Sequence, residues 1–258
     1  MRRIKELWDY REMIVSLVIR DLKSRYKGSV LGFFWMFLNP LLQLSVYTVV
    51  FSVIMRAGID RFYLFLFVAL VPWLFFSTCL SAGTGVVCSQ QDMVKKIYFP
   101  REVLPLSFTI GQFVNMLFSF AVIFAVIILS GVGINMTALL YLPIVMLAEL
   151  ILALGMTFFV SAMNVYFRDL EHIMGIVSMA WMYMTPILYP MDMIPEQMVK
   201  LFYLNPMTSI TAAYRDILYY KRVPGTDTML RSIFMGLAVF MIGQAVFCNL
   251  QKRFAEEL

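Results

Sequence analysis

The sequence is poor in charge, in cysteine and in histidine. Only 14% of its 258 residues are Asp, Glu, Lys or Arg, while 61% are apolar; soluble domains carry about 25% charged residues. So few charges cannot cover the surface of a soluble fold of this length. The three cysteines, Cys79, Cys88 and Cys248, are odd in number and no two have ligand spacing, so neither a disulfide framework nor a metal site is expected. The single histidine, His172, has no metal-binding partner in the sequence and reads as an interfacial loop residue. Also absent are a G-x-x-x-x-G-K-S/T phosphate loop, an H-E-x-x-H helix, a G-x-S-x-G elbow and acids paired for acid–base work. The chain is therefore expected to be non-catalytic and metal-free, and not to bind ATP through a phosphate loop.

In place of these features stand long apolar runs. A helical crossing of roughly 30 Å of hydrocarbon takes about 20 apolar residues. Six runs suggest themselves: 33–54, 62–80, 103–129, 138–163, 173–188 and 233–250. The fifth is short. None shows the polar stripe at a 3.6-residue period that a soluble helical bundle would need. The fourth run contains one acid, Glu149. An ionisable group inside a membrane is a functional candidate; a structural hydrogen bond between helices is the equal alternative. The expected fold is an all-α integral membrane protein. It has one six-span transmembrane domain over 33–258, preceded by a cytoplasmic segment over 1–32.

Lysine and arginine set the orientation. An even number of spans puts both termini on one side. The opposite side holds only Arg56, Arg61, Lys200, Arg215, Lys221, Arg222 and Arg231 of the 21 basic residues. Both termini are therefore expected in the cytoplasm, and the net charge of +5 belongs mostly to the inner leaflet. No nucleic-acid partner is needed to explain it. The first ~30 residues lack the apolar core of a cleavable signal peptide.

Three segments outside the spans are distinctive. In the first, Ile4, Leu7, Trp8, Ile14, Val15, Val18, Leu22 and Tyr26 recur at helical steps, with basic residues between them. This fits an amphipathic helix lying in the membrane interface, with Asp9 and Glu12 as a capping box and Gly28 at its end. A simple basic anchor is the other reading. The second segment, 84–102, carries Asp92 before Lys95 and Lys96, then Pro100 and Pro105 around the start of the third span. It reads either as a short cytoplasmic docking helix or as an ordinary stop-transfer loop. The third, 190–228, lies outside and is nevertheless greasy. Glu196–Leu204 and Pro206–Tyr220 read as two short helices, with Pro206 suited to a first turn after Asn205. A re-entrant hairpin and a pair of helices lying flat on the membrane both fit.

Several motifs bear a resemblance. The stretch from Arg20 to Pro40, RDLKSRYKGSVLGFFWMFLNP, resembles the opening of type 2 ABC exporter permeases. It is most similar to the branch exporting polysaccharides, O-antigens, capsules and teichoic acids. KKIYFPREVLP (95–105), NVYFRDL (164–170), TPILYP (185–190) and LNPM (204–207) resemble further segments of that branch, in the same order.

The resemblance implies a half-transporter in the bacterial cytoplasmic (inner) membrane. A second copy completes the pore as a homodimer, and two separate ATP-binding cassette subunits supply ATP and Mg. It implies a coupling loop holding Asp92, Lys95, Lys96, Phe99, Pro100 and Arg101, with Arg168 and Asp169 as a secondary contact. It also implies an interface helix from Tyr10 to Lys27 bearing Arg20, Asp21, Lys23, Arg25 and Tyr26, and an outer hairpin acting as a gate. ATP binding would close the ATPase dimer and the coupling loops would pass that change to the pore.

Aromatic residues make up 16% of the chain. Phe33, Phe37, Tyr47 and Phe51 form a stripe on the first span, and Trp181 and Tyr189 a shorter one on the fifth. The resemblance places both spans beside the pore, where aromatic faces would let a glycan slide; lipid-facing aromatic residues are the alternative. Two other functions remain open at this point. One is an ABC permease for drugs or lipids. The other is a channel or secondary carrier with no ATPase, though no internal repeat of the carrier kind is visible.

Overall fold

The computed structural model describes residues 2–26, 28, 31–54 and 58–258. Lys27 and the side chains of Arg25, Tyr26 and Phe33 lie outside the described residues. Every regular element among the described residues is helical. Helices α1 (Arg2–Asp9) and α2 (Arg11–Tyr26) form the N-terminal segment; α1 is strongly amphipathic, whereas α2, with Val15 and Ile19 exposed, has only a weak apolar face. Asp9 is the last residue of α1 and not the cap of α2. The backbone runs on through Tyr10, whose N–H reaches Glu6 O (3.3 Å) and whose carbonyl accepts from Ile14 N (3.1 Å). Gly28 follows at φ +83°, a left-handed conformation that favours glycine at a helix end.

The first apolar run is not one regular helix. α3 (Trp35–Thr48) contains Pro40, which removes a ladder hydrogen bond, and passes into a π turn over Val49–Ile54. Among the described residues, four stretches are long and apolar enough to cross a membrane. They are α4 (Phe62–Ser81) with its extension to Gly85, and α6 (Val103–Leu129). The third joins the short α7 (Met136–Leu139) to α8 (Leu142–Tyr166), and the fourth is α12 (Thr226–Leu250) with its last turn. The short α5 (Gln91–Lys96) lies between α4 and α6. α9 (Leu170–Tyr183) has 14 residues, roughly 21 Å of rise, so it falls short of the hydrocarbon thickness. α10 (Glu196–Phe202) and α11 (Pro206–Leu218) form the expected two short helices, and α13 (Phe254–Glu257) ends the chain. α12 begins seven residues before the expected apolar run.

α4 occupies the middle of the protomer. In its spanning window 78% of residues are buried, against 22–44% for the other three long stretches. α8 and α12 lie backbone to backbone. A Cβ on Gly243 would come 2.0 Å from Gly155 O, and one on Gly155 would come 2.5 Å from Phe240 Cα. Lipid tails are as apolar as leucine, so membrane helices associate through such small-residue contacts. One apolar core joins α4, α6, α8 and α11; a second, smaller one sits at the end where α5, the start of α6 and the end of α12 meet.

Candidate coupling surface and outer hairpin

The smaller core organises the expected coupling segment. Val86, Val87, Val94, Phe99, Val103 and Leu104 are buried against Phe158, Phe247 and Phe254, with Leu7, Tyr10 and Ile14 of the amphipathic segment packed around them. Phe99 therefore points into the protomer, where it is 6% exposed. Tyr98, 91% exposed, and Ile97, 57%, stand outward in its place. Polar bonds pin the same unit. Arg101 Nη1 donates to Gln251 O, and Glu102 Oε1 accepts from Gln251 Nε2 (3.3 Å) and Cys248 Sγ (3.2 Å). Tyr166 OH donates to Leu250 O (3.0 Å).

Asp92 lies in the first turn of α5, where a carboxylate suits the helix dipole. It pairs with exposed Lys96 at 3.1 Å; Lys95 is exposed beside it. From α2, Arg20 Nη2 donates to Gln90 Oε1 (3.2 Å), and Tyr10 OH donates to Tyr98 O (3.5 Å). Asp21 sits so close to α6 that a Cβ on Gly111 would meet its Oδ2 at 3.2 Å. Lys23, Arg168 and Asp169 are exposed, and Pro100 is partly so. Arg168 still acts on this unit. Burial pushes the Cys88 thiol above its ordinary value, and the Arg168 guanidinium pulls the other way.

The aromatic candidates are partly buried. Phe37, Tyr47, Phe51 and Trp181 pack against the protomer's own main core. Phe37 meets Phe118 edge to face (centroids 6.0 Å apart), Phe51 stacks on Phe62 (5.6 Å), and Trp181 meets Phe76 (5.3 Å). Tyr189 donates to Tyr183 O (2.5 Å) and contacts Phe202 of α10.

At the far end, a polar set bolts the hairpin to the helices. Asn205 caps α11, its Oδ1 accepting from Met207 N (3.0 Å) and also from Trp181 Nε1 (2.9 Å). Its Nδ2 donates to Thr185 Oγ1 (2.8 Å) and Met184 O (3.2 Å). One carboxamide thus ties the hairpin turn to the end of α9. Tyr214 OH donates to Glu149 Oε2 (2.6 Å), and both residues are fully buried. Glu149 therefore has a partner on the hairpin at one oxygen, while its Oε1 is buried without one. The Arg215 guanidinium donates to the carbonyls of Pro186, Ile187 (2.5 Å) and Phe65 (3.4 Å), and lies 3.6 Å from the Phe65 ring. Buried charge needs such compensation. Tyr214 and Arg215 were not singled out as site residues from the sequence, and Asn205 was read only as the residue before the first turn of α11. The available signal was an arginine and an aspartate, Arg215 and Asp216, inside an otherwise apolar helix.

The family model described as ABC-2 type transporter matches residues 12–219. The chain is 35% identical over 260 residues to the O-antigen export system permease protein RfbA of Myxococcus xanthus, covering all of both chains. It is 33% identical over 247 residues to a protein of the same name from Klebsiella pneumoniae, covering 96% of this chain and 95% of the relative. It is 20% identical over 240 residues to the polysialic acid transport protein KpsM of Escherichia coli, covering 88% and 92%. With the match spanning well over half its length, the chain belongs to the ABC-2 type transporter family.

Proposed function

We propose that this chain is the membrane-spanning subunit of an ATP-driven exporter that moves a polysaccharide, free or lipid-linked, out across the cytoplasmic membrane. Full-length similarity to export permeases whose names specify O-antigen carries the substrate class. Two copies form the pore, and two ATPase subunits holding ATP and Mg dock on the coupling face. The chain makes six passages with both termini in the cytoplasm. The first and fifth are completed by the π turn after α3 and by the irregular segment after α9, and the α10–α11 hairpin dips into the outer leaflet without crossing. Irregular backbone at that depth must be buried in protein. The carbonyls of Pro186 and Ile187 meet this demand through Arg215.

The observation that favours docking at α5 is a rigid underside with an exposed apolar tip. A solvated stop-transfer loop gives no reason to bury Val94 and Phe99 while presenting Tyr98 and Ile97. ATP binding draws the ATPase pair together, and the welded unit of α5, α2 and the end of α12 moves with it. The test is co-purification with ATP-binding cassette subunits from the source cell, followed by measurement of ATP-dependent glycan export. Tyr98→Asp is expected to reduce ATPase co-elution at least tenfold with the permease still folded. Absence of any co-eluting ATPase with the wild-type chain refutes the reading.

A further inference from the structure

Between α3, α4 and α6 lies a cavity of about 210 Å³. Each helix turns one face to it. Asn39 and Gln43 come from α3 at a spacing of four, Gln112, Asn115 and Ser119 from α6 at three and four, and Thr78 from α4. These helices belong to apolar runs, yet here four carboxamides and two hydroxyls converge. No charged residue lines the cavity among the described residues. It sits in the half of the bundle nearer the coupling face, since Gln112 is nine residues, about 14 Å, along α6 from Val103.

Two facts separate this cavity from ordinary helix glue. Gln112 is only 3% exposed, and its Nε2 is buried with no hydrogen-bond partner. An unmade buried bond costs the desolvation of the group, so Gln112 Nε2 is a donor free to meet an acceptor held in the cavity. Second, Asn39 and Gln43 line the cavity and are also exposed on the protomer surface. Carboxamides facing hydrocarbon would be costly, so Asn39 and Gln43 need water or protein beside them. They share the exposed side of α3 with Leu42 and Val46, while Phe37 and Tyr47 pack inward.

The chemistry of the lining narrows the ligand. A carboxamide both donates and accepts, as does a sugar hydroxyl. Thr78 Oγ1 already donates to Leu74 O (2.7 Å), and Ser119 Oγ to Asn115 O (3.2 Å), so both hydroxyl oxygens remain as acceptors. Trp35 and Phe75 add flat apolar walls. The volume is below the 300 Å³ or so typical of drug-sized sites, which suits a single ring. The lack of cations leaves an anionic sugar without a counter-charge.

We propose that this cavity is a sugar subsite on the export path, holding one neutral, hydroxyl-rich ring of the glycan through Gln112, Asn115 and Asn39. The inference rests on the permease reading above. Its test uses the full complex of permease and ATPase with Gln112→Leu and Asn115→Leu. Leucine is close in volume and leaves no unpaired amide, and co-elution with the ATPase verifies assembly. Each variant is expected to export glycan about tenfold more slowly, the loss of roughly one good hydrogen bond. In proteoliposomes, maltotetraose is expected to stimulate ATP hydrolysis by the wild-type complex and a sialic acid tetramer to have no effect. Gln112→Leu is expected to need about tenfold more maltotetraose.

Full export by both assembled variants would make the cavity a water-filled structural void and overturn the proposal. Equal stimulation by the two tetramers would overturn the assignment to neutral sugars. A wild-type complex with no ATP-dependent glycan export would instead bring down the permease reading on which the subsite depends.

Discussion

Asn205→Ala is the sharpest probe of how the outer hairpin is held. The substitution removes four hydrogen bonds at once: the cap on Met207 N, the acceptor for Trp181 Nε1, and the donors to Thr185 Oγ1 and Met184 O. Loss of an asparagine cap costs about 1 kcal/mol. Interhelical bonds within membrane proteins average about 0.6 kcal/mol each, so the three ties to the α9 end add about 2 kcal/mol. Together these give about 3 kcal/mol of local stability, or roughly 150-fold in the equilibrium for lifting the hairpin off the bundle. Exchange of buried backbone amides reports that opening directly. Hydrogen–deuterium exchange of peptides covering 196–218 should therefore accelerate by about two orders of magnitude, with α4 and α8 unchanged. Asn205→Asp retains the cap and the acceptor for Trp181 but loses both donors, and should fall between wild type and alanine. Unchanged exchange in Asn205→Ala would refute the claim that this carboxamide fastens the hairpin.

Three further outcomes follow from the packing and the charges around single residues. Phe99→Asp puts a carboxylate into the smaller core with no cation to meet it, and a loss of about 3–5 kcal/mol is expected; a detergent melting curve should show it, whereas Tyr98→Asp should melt normally and fail only in ATPase co-elution. Gly243→Ala forces its methyl onto the Gly155 carbonyl and should lower the melting temperature, while Gly175→Ala, which meets nothing within 4 Å, should not. Cys88 should react slowly with iodoacetamide near pH 7.5, because its raised pKa keeps it a thiol, and faster as pH rises. Removing the opposing pull in Arg168→Gln raises that pKa further, so alkylation should slow again; an unchanged rate would mean that Arg168 does not act on this thiol.

The elements themselves were readable, because each is signalled locally. Apolar length marks α4, α6 and α8. Asn205 before Pro206 marks the start of α11, and the structure places both as cap and first residue. The left-handed Gly28 closes the amphipathic segment as its position suggested. What failed were judgements that depend on a neighbour. Asp9 has the right residue type and spacing for a cap, but tertiary packing of Leu7 and Tyr10 carries helical geometry past it. Phe99 and Tyr98 are adjacent aromatic residues in one loop, and only the position of Phe247 and Phe254 decides which is buried. The contact between Tyr214 and Glu149 joins residues 65 apart in sequence, so no spacing rule announces it.

The aromatic stripe shows the deeper difficulty. In water, an apolar face of a helix points to the core, because solvent rejects it. In a bilayer that argument fails, since lipid accepts Phe37 and Phe51 as readily as protein does. Aromatic residues on α3 therefore carried no information about direction, and the structure turns them toward the protomer's own core. Polar residues carry that information instead, because hydrocarbon rejects them. Asn39 and Gln43 interrupt the first apolar run, Gln112 and Asn115 the third, and Glu149 the fourth. The structure sorts these into two groups. Glu149 is met by the hairpin through Tyr214 at one of its two oxygens. The amides of α3 and α6 converge on a cavity that the protomer leaves unfilled, with Gln112 Nε2 still without a partner. For a chain of this composition, the polar exceptions within the spans carry the information about direction that the aromatic majority does not.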